Sequence, residues 1–446
     1  MSRLFVANRG EIACRIIAAA KALDIETVAG VSAADKDSLW AKAADRTLVL
    51  GPAPARQSYL DGNLLLHAAV ASGCKAVHPG YGFLSENAAF ARAVADAGLA
   101  FCGPTPEQME AVGDKLAARA LACKLGVETG QASEALDDPD AAAIAARTLG
   151  YPVVTKASAG GGGRGMRIVR QEADLAAAIS EAQTEAEAAF GDGRIYLEPF
   201  VEAARHVEVQ AFGLGDGQVI TLGTRDCSIQ RRYQKLVEEA PAIALPEAAR
   251  ADMEAAAAKL LGAISYRGAG TVEFLWDEAR EQSRFLEVNA RIQVEHPVTE
   301  MICSIDLVQW QIALAFDRFE PPAELTPRGH AIEVRILAED ADFRPAPGRI
   351  TGWTPPSGAR VDSGFGTGCD VPPYYDSMVA KLIVAAPNRA AAVDQLQVGL
   401  SDFDVDGIAT SIPFLRDIAA HDDFVANRLS TRWLEAELIP ASTGKP

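Results

Sequence analysis

The stretch Glu287-Val-Asn-Ala-Arg-Ile-Gln-Val-Glu-His296 carries the most information about the fold and chemistry of this chain. From Glu287 to Glu295, its odd positions are polar or charged and its even positions are aliphatic. Because side chains alternate between faces along an extended backbone, an extended run would bury one face and present carboxylates, amides and a guanidinium on the other. An ordinary exposed strand would alternate as well, so the interpretation depends on the neighbouring sequence.

Two β-rich runs next to each other are typical of a hairpin. The runs are Thr271–Trp276 and Arg284–Val288, and a short polar turn joins them. Pairing them would bring Glu273 beside Glu287 and Asn289. Because Mg²⁺ prefers oxygen ligands and is commonly held by one or two carboxylates plus substrate phosphates, the hairpin predicts a metal–nucleotide site.

The bulk properties of the chain limit its class. Its 446 residues predict two or three domains, and its formal net charge of −18 argues against a nucleic-acid partner. No apolar run reaches membrane-spanning length, so we expect no membrane partner. The seven cysteines show no Cys-x-x-Cys and no zinc-ligand spacing, which predicts buried free thiols and a cytoplasmic location.

The first part of the chain alternates strands with helices. We predict strands at 4–7, 27–31 and 75–78, with an amphipathic helix at 11–23. This order indicates a doubly wound parallel sheet, whose ligands bind at the carboxyl ends of the strands. The loop His78–Asn87 follows such an end, although a glycine-rich turn that merely caps a helix is the alternative.

A helix is predicted from Pro106 to about Leu125, followed by a compact segment near 130–200. In that segment we predict a helix, then strands at 152–156, 166–170 and 195–198, and a long helix at 172–190.

The loop Lys156-Ala-Ser-Ala-Gly-Gly-Gly-Gly-Arg-Gly165 is the second strong signal. Glycines let the backbone approach phosphate oxygens, and the flanking Lys156 and Arg164 carry charges suited to phosphate. The loop formally contains Gly-x-Gly-x-x-Gly at Gly160, Gly162 and Gly165, but that dinucleotide motif must open a helix, whereas this loop joins two strands. We interpret it as a hairpin flap over phosphate, with a merely flexible loop as the alternative.

The run Arg225–Lys235 concentrates cations and glutamines, which suits an anion site, although a solvated charged turn is the alternative. Cys227 lies within this run, but no base neighbours it in sequence, so a structural thiol is predicted. His206 is either a strand-edge histidine or a ligand contact.

With these motifs in place, the chain resembles the biotin carboxylase subunit or domain of biotin-dependent carboxylases, in the ATP-grasp superfamily. The resemblance runs from Val6–Ala13 through Asn289–Glu300 and Pro372–Met378 to Gly407. It implies an α/β fold of the α+β ATP-grasp type with three parts. They are a Rossmann-like, doubly wound N-terminal domain at 1–112, an ATP-grasp centre at 113–330 with a mobile lid at about 130–202, and a mixed β C-terminal biotin carboxylase domain at 331–446.

The resemblance implies a ligase that activates bicarbonate with ATP to carboxyphosphate and then carboxylates the ureido nitrogen of biotin. ATP, Mg²⁺ or Mn²⁺, and biotin on a carrier protein are the implied cofactors. A biotin carboxyl carrier protein and a carboxyltransferase subunit are the implied partners, and a homodimer is an implied assembly. The reaction would be the first half-reaction of an acyl-CoA (acetyl-CoA-like) carboxylase, as in fatty acid biosynthesis. The chain has no Met-Lys-Met attachment motif, so we expect biotin to arrive on another polypeptide.

The resemblance also implies roles for individual residues. The metal ligands would be Glu273, Glu287 and Asn289. The catalytic residues would be Lys235 and Arg291 at bicarbonate, Glu295 as general base, and Arg335 at the biotin enolate. Gln293 and the backbone of Val294 would contact bicarbonate, while Tyr81 and Gly82 would border biotin. The ATP contacts would be Lys115, Lys156, Gly162, Gly163, Glu198, Pro199, Val201, His206, Gln230 and Tyr233.

Three features depart from the family pattern. Tyr233 stands where the family usually has His or Asn, and Pro199 stands where it often has Lys and offers only a carbonyl acceptor. Ala18 and Ala22 stand where bacterial members carry charged dimer contacts.

Two other functions stay open, namely another ATP-grasp ligase that joins a carboxylate to an amine, and a non-catalytic scaffold subunit. Gln293–His296 and Arg335 favour bicarbonate and biotin over the first. The retained charged residues argue against the second.

Overall fold

The computed structural model describes residues 2–136, 139–159, 163 and 165–439. Gly160, Gly162 and Arg164 of the predicted phosphate flap lie outside the described residues. Among the described helices, none is both long and apolar enough to cross a membrane. All seven cysteines are free, but the prediction of burial is wrong for three of them, because Cys123 is exposed and Cys14 and Cys369 are half-buried.

The N-terminal strands form a parallel sheet in the order β3-β2-β1-β4-β5. The strands are β1 (Arg3–Val6), β2 (Glu26–Ser32), β3 (Arg46–Gly51), β4 (Ala76–His78) and β5 (Ala100–Phe101). The helices are α1 (Gly10–Ala22), α2 (Leu39–Ala43), α3 (Gly62–Ala71), α4 (Ala88–Asp96) and α5 (Pro106–Gly113). Because apolar strands alternate with helices that cover the sheet, the predicted doubly wound fold is confirmed.

The predicted helix from Pro106 to Leu125 is wrong as a single element. It is broken at Asp114, which is extended, and α6 (Lys115–Lys124) begins directly after it. The Asp114 carboxylate accepts hydrogen bonds from the backbone of Ala117 and from Ser158 Oγ (2.9 and 3.0 Å). Aspartate is more favourable as an N-cap than inside a helix, so the break follows from its side chain.

The segment that follows has its own small core. It contains α7 (Pro139–Leu149), β6 (Val153–Ala157), β7 (Arg167–Val169), α8 (Leu175–Phe190) and β8 (Ile195–Pro199). Its antiparallel strands lie in the order β7-β6-β8, and α8 packs on them through Leu175, Ile179 and Ala182. The predicted strands and the long helix of this segment are present. Movement of the segment as a lid stays a prediction.

An antiparallel sheet in the order β13-β12-β9-β10-β11-β14-β19-β17 forms the largest layer of the described chain. Its strands are β9 (Ala204–Leu214), β10 (Val219–Arg231), β11 (Gln234–Ala240), β12 (Arg267–Asp277), β13 (Gln282–Asn289), β14 (His330–Leu337), β17 (Arg360–Ser363) and β19 (Met378–Ala386). Helices α9 (Glu247–Ala263), α10 (His296–Cys303) and α11 (Leu307–Ala315) pack on it. The centre and the C-terminal part therefore share one sheet, and β14 begins where the two parts were predicted to meet.

The remaining elements complete the C-terminal part. They are β15 (Gly348–Arg349), β16 (Gly352–Thr354), β18 (Asp370–Val371), β20 (Asp404–Asp406), α12 (Arg389–Asp402), α13 (Ile412–Ala420) and α14 (Asp422–Val425). Helix α12 packs against β19 and β14. Its buried Val393, Leu396 and Leu400 join the core that these strands form with α13.

The stretch 287–296 is extended only at its beginning. Strand β13 ends at Asn289, residues 290–295 form a loop, and α10 begins at His296. Pro297 favours that helix start, because proline fits the first turn of a helix. The alternation of polar and aliphatic residues does not correspond to a solvent-exposed face and a buried face. Gln293 and Glu295 are about as deeply buried as Ile292 (3%, 2% and 0% exposed).

Candidate active site

A cavity of about 680 Å³ lies where the ends of the N-terminal strands, the 130–200 segment and the antiparallel sheet meet. Every described residue of the predicted site lines this cavity. They are Tyr81, Gly82, Lys115, Lys156, Gly163, Glu198, Pro199, Val201, His206, Gln230, Tyr233, Lys235, Glu273, Glu287, Asn289, Arg291, Gln293, Val294, Glu295 and Arg335. The fold therefore brings residues from seven separated stretches of the chain, between Tyr81 and Arg335, to one place.

The hairpin β12–β13 forms one wall with the predicted pairing. Glu273 lies directly opposite Glu287, and Asn289 Nδ2 donates to Glu273 Oε1 at 2.9 Å. Lys115 forms an ion pair with Glu287, and His206 Nε2 lies 2.9 Å from Glu273 Oε2. Lys115 neutralises the Glu287 carboxylate in this structure. Two opposed carboxylates with an amide oxygen beside them are a hard oxygen donor set, which fits Mg²⁺ or Mn²⁺.

Lys235 is the cation at the centre of the cavity wall. Its Nζ donates to Glu208 Oε2, Glu295 Oε1 and Glu273 Oε1 at 2.6, 2.7 and 3.0 Å. Burial opposes the charge of Lys235, but these three carboxylates hold its pKa well above the usual range. Glu208 was not predicted. It lies two residues after His206 on β9, and the period of a strand would have placed both on one face.

Glu295 and Arg335 meet in the cavity, and Glu295 lies in the loop directly before α10 and not on a strand. Arg335 Nη2 lies 3.0 Å from Glu295 Oε2. On β14, the neighbouring Val334 and Ile336 are buried in the core. Burial opposes ionisation of Glu295, but Lys235, Arg335 and Arg225 hold its pKa well below the usual range. Glu295 is therefore a carboxylate at neutral pH.

Arg335 has a second acidic partner that the sequence did not reveal. Arg335 Nε donates to Glu238 Oε1 at 2.7 Å. Glu238 lies opposite Glu333 in the β11–β14 register, and both carboxyl groups are fully buried. Burial raises the pKa of Glu238 to about 7 against the opposing pull of Arg335, and burial raises the pKa of Glu333 well above its usual range. Glu295 is therefore the more firmly ionised of the carboxyls around Arg335.

The loop His78–Asn87 both caps a helix and lines the cavity, which are the two alternatives considered for it from the sequence. Asn87 caps α4 through the backbone N–H of Phe90 (2.8 Å), while Tyr81 and Gly82 reach the cavity. The loop also supplies Glu86, which was not predicted and accepts from Arg291 Nε at 2.9 Å. The hydroxyl of Tyr81 donates to Glu11 of α1.

The cationic run Arg225–Lys235 divides between the cavity and the interior. Arg225 is fully buried behind the wall, where it donates to Gln293 Oε1 and Glu208 Oε1 at 2.8 and 2.5 Å. Gln230 faces the cavity and contacts His206 Nδ1 at 2.8 Å. Burial raises the pKa of Cys227 far above its usual range, so its thiol stays protonated, in agreement with the predicted structural role.

The predicted nucleotide contacts surround the other end of the cavity. Lys156 Nζ donates to Glu198 Oε2 at 2.6 Å, and Pro199 closes β8 at the edge of its sheet, where a missing N–H is tolerated. Arg232 and Tyr233 both have positive φ angles (49° and 65°) at the turn between β10 and β11. Tyr233 packs against Gly163 so closely that a Cβ on Gly163 would lie 2.6 Å from the Tyr233 Cβ. The departure at Tyr233 therefore places an aromatic ring against the glycine loop.

Comparisons with known proteins cover almost the whole chain. The family "Biotin carboxylase, N-terminal domain" matches residues 1–109, "Carbamoyl-phosphate synthase L chain, ATP binding domain" matches 114–318, and "Biotin carboxylase C-terminal domain" matches 333–436. The chain is 46% identical to a biotin carboxylase of Nostoc sp. over 97% of this chain and 98% of that one. It is 47% identical to a biotin carboxylase of Halalkalibacterium halodurans over 98% of each chain.

Solved structures agree in fold. A biotin carboxylase–βγ-ATP complex from Campylobacter jejuni is 41% identical, with a TM-score of 0.95 over 98% of this chain and 99% of that chain. The biotin carboxylase domain dimer of the 2-oxoglutarate carboxylase of Hydrogenobacter thermophilus is also 41% identical, with a TM-score of 0.95 over 100% and 99%. That structure was solved in complex with MgADP, ADP and the bicarbonate anion.

Proposed function

The chain belongs to the biotin carboxylase family, and we propose that it carboxylates biotin with ATP and bicarbonate in the cavity described above. It is an ATP-dependent ligase of the ATP-grasp type, which performs the first half-reaction of biotin-dependent carboxylases. One observation carries the assignment of the site: Lys235 and Arg335 converge on the buried carboxylate of Glu295.

In the first step of the proposed mechanism, bicarbonate takes the place beside Lys235 and Arg291. Glu295 accepts its proton, the resulting oxyanion attacks the γ-phosphorus of ATP, and ADP leaves to give carboxyphosphate. Phosphoryl transfer depends on positioning and charge neutralisation more than on covalent help, and Lys115 and Lys156 supply cations for the phosphates. Glu273, Glu287 and Asn289 would hold the divalent cation, which when bound neutralises phosphate charge.

In the second step, biotin enters beside Tyr81 and Gly82, and its ureido nitrogen forms the new bond to the carboxyl carbon of carboxyphosphate. The bond from that carbon to the phosphate oxygen breaks, and the departing phosphate accepts the proton of the ureido nitrogen. Negative charge develops on the ureido oxygen, where a fixed guanidinium stabilises it as the donors of an oxyanion hole do. Arg335 is the residue that we assign to this task.

Further parts of the proposal concern the surroundings of the enzyme. Biotin would be carried by a biotin carboxyl carrier protein, and a carboxyltransferase subunit would pass the carboxyl group to an acyl-CoA of the acetyl-CoA type in fatty acid biosynthesis. We also propose a cytoplasmic location, a homodimer, and the division into parts 1–112, 113–330 and 331–446. The dimer is supported by the Hydrogenobacter thermophilus structure, in which the homologous domain forms a dimer.

The proposed function is tested by ATP cleavage with and without bicarbonate. We expect cleavage that requires bicarbonate and a divalent cation and that free biotin stimulates. An amine-dependent cleavage would support a carboxylate–amine ligase instead, and nucleotide binding without cleavage would support a scaffold. Either of those results would contradict the proposal.

Replacing Glu287 with glutamine should lower turnover by about 100-fold or more, as loss of one electrostatic contact in an active site commonly does. The change keeps the shape of the side chain but removes one of the two opposed carboxylates, so the Mg²⁺ concentration for half-maximal rate should rise as well. Glu281→Gln is the matched control, because Glu281 lies in the exposed turn of the same hairpin. An unchanged rate and an unchanged Mg²⁺ dependence in Glu287→Gln would contradict the metal assignment.

A further inference from the structure

Two buried groups behind the cavity hold the backbone on either side of Val294. His296 Nδ1 lies 2.7 Å from the carbonyl oxygen of Gln293, and because a carbonyl only accepts, Nδ1 is the donor. Lys381 Nζ donates to the carbonyl oxygen of Val294 at 2.9 Å. Both side chains are completely buried. The peptide groups that precede and follow Val294 are therefore each tied to a fixed donor.

Lys381 is placed for this contact by the register of two strands. It lies opposite Arg335 in the β14–β19 pair, so the two cations stand side by side on one face of the sheet. Arg335 contacts the carboxylate of Glu295, and Lys381 contacts the carbonyl of the residue before it. Two neighbouring cations thus fix two consecutive residues of the loop that carries the proposed general base.

Lys381 stays charged although it is buried, because acidic side chains lie close to its ammonium group. Its Nζ lies 3.1 Å from Glu11 Oε1 on α1 and 3.8 Å from Asp362 Oδ2 on β17. Burial opposes the charge, but Glu11, Glu333 and Asp362 raise the pKa of Lys381 above its usual value. A buried charge needs such partners. The Lys381 ammonium therefore contacts α1, the edge strand β17 and the Val294 carbonyl at the same time.

We propose that Lys381 is a positioning residue of the bicarbonate site, acting through the backbone of Val294 and Glu295. It fixes the backbone of the loop 291–295 in the position where Arg291, Gln293 and Glu295 can surround one small anion. Misplacing such groups by about 1 Å can cost 100-fold in rate. This inference deepens the proposed function and rests on it. The residues that hold ATP lie on other elements, so loss of Lys381 should leave them in place.

The test is Lys381→Met, which keeps the length of the side chain and removes the charged donor. We expect the KM for bicarbonate to rise about tenfold or more, as expected for losing a hydrogen bond to a charged group. The KM for ATP should stay within about twofold, because substitutions remote from a contact seldom change it more. Lys259→Met is the matched control. It makes the same substitution at an exposed lysine of α9, and its KM for bicarbonate should equal that of the wild type.

The wild-type reaction separates this inference from the proposed function. If the wild type shows no bicarbonate-dependent cleavage, the proposed function fails. If it does, and Lys381→Met has an unchanged KM for bicarbonate or an equal rise in both KM values, the positioning role is overturned.

Lys381→Met leaves Glu11 without its cation, so thermal unfolding of each variant is followed in parallel. If the single variant does not fold, Lys381→Met/Glu11→Gln removes the uncompensated charge and should show the same selective rise in the KM for bicarbonate. Failure of both variants to fold would also overturn the proposal, because Lys381 would then act only in stability.

Discussion

Replacing Glu295 with glutamine is expected to lower bicarbonate-dependent ATP cleavage by about 1,000-fold or more, since a general base and its charge each contribute factors of 100 or above. Glutamine fills the same space but accepts no proton, so bicarbonate would remain a weak nucleophile. Single-turnover ATP cleavage at saturating bicarbonate measures the chemical step directly. The affinity for ATP should change little, because Glu295 contacts Lys235 and Arg335, whereas Lys156 pairs with Glu198.

The electrostatics of Glu295 set a condition on how it acts. Lys235 and Arg335 hold its pKa well below the usual range in this structure, which guarantees a carboxylate but makes it a poor base. In the proposed mechanism bicarbonate lies beside Lys235 and, as an anion, would compete with Glu295 for that cation. Drawing Lys235 away would raise the pKa of Glu295 towards the range where proton transfer is effective.

Glu295→Asp is the informative control for this prediction. It keeps the acid but shortens it, so a partial rate is expected. A Glu295→Gln enzyme that cleaves ATP within about tenfold of the wild-type rate would contradict the role, because that loss is smaller than general-base catalysis normally provides.

The wall that we propose to bind the metal could be predicted because its geometry is local. Glu273 and Glu287 lie in neighbouring strands joined by a short turn, and turn length fixes which residues pair. The proposed phosphate contacts could partly be predicted for the same reason, because Lys156 and Gly163 are close together in sequence. Residues of all four motifs line one cavity, as the resemblance to a known family implied. The motifs are the loop 78–87, the glycine loop that begins at Lys156, the run 225–235 and the stretch 287–296.

The other half of the site depends on contacts between strands far apart in sequence. Beyond Asn289 the directions of Gln293 and Glu295 are set by Arg225 and Arg335, whose strands lie elsewhere in the sheet. An alternating pattern carries no information about such partners, so the alternation alone does not show that the extended backbone ends at Asn289. Glu238 was missed for the same reason, because its importance arises only from its contact with Arg335.

The loss of Arg335 should separate the two half-steps of the reaction. Arg335→Ala is expected to keep a measurable part of bicarbonate-dependent ATP cleavage while carboxylation of free biotin falls by about 100- to 1,000-fold, the usual effect of deleting one oxyanion-stabilising donor. Lys235 still holds Glu295 in this variant, so bicarbonate can still be activated. Carboxyphosphate would then break down in water without a stabilised biotin enolate to accept its carboxyl group.

The ratio of ADP released to labelled carboxybiotin formed is therefore the decisive measurement for Arg335→Ala. It should rise far above the wild-type ratio, because ATP is consumed without transfer. Arg349→Ala is the control, since Arg349 is an exposed arginine of β15 paired only with the surface residue Asp370 in the described chain, and surface ion pairs contribute little. Arg335 also neutralises Glu238, so Glu238→Gln in the Arg335→Ala background removes that buried acid. If uncoupling persists there, the lost guanidinium is its cause; if coupling returns, the Glu238 side chain left without its partner was responsible, and the enolate is stabilised elsewhere.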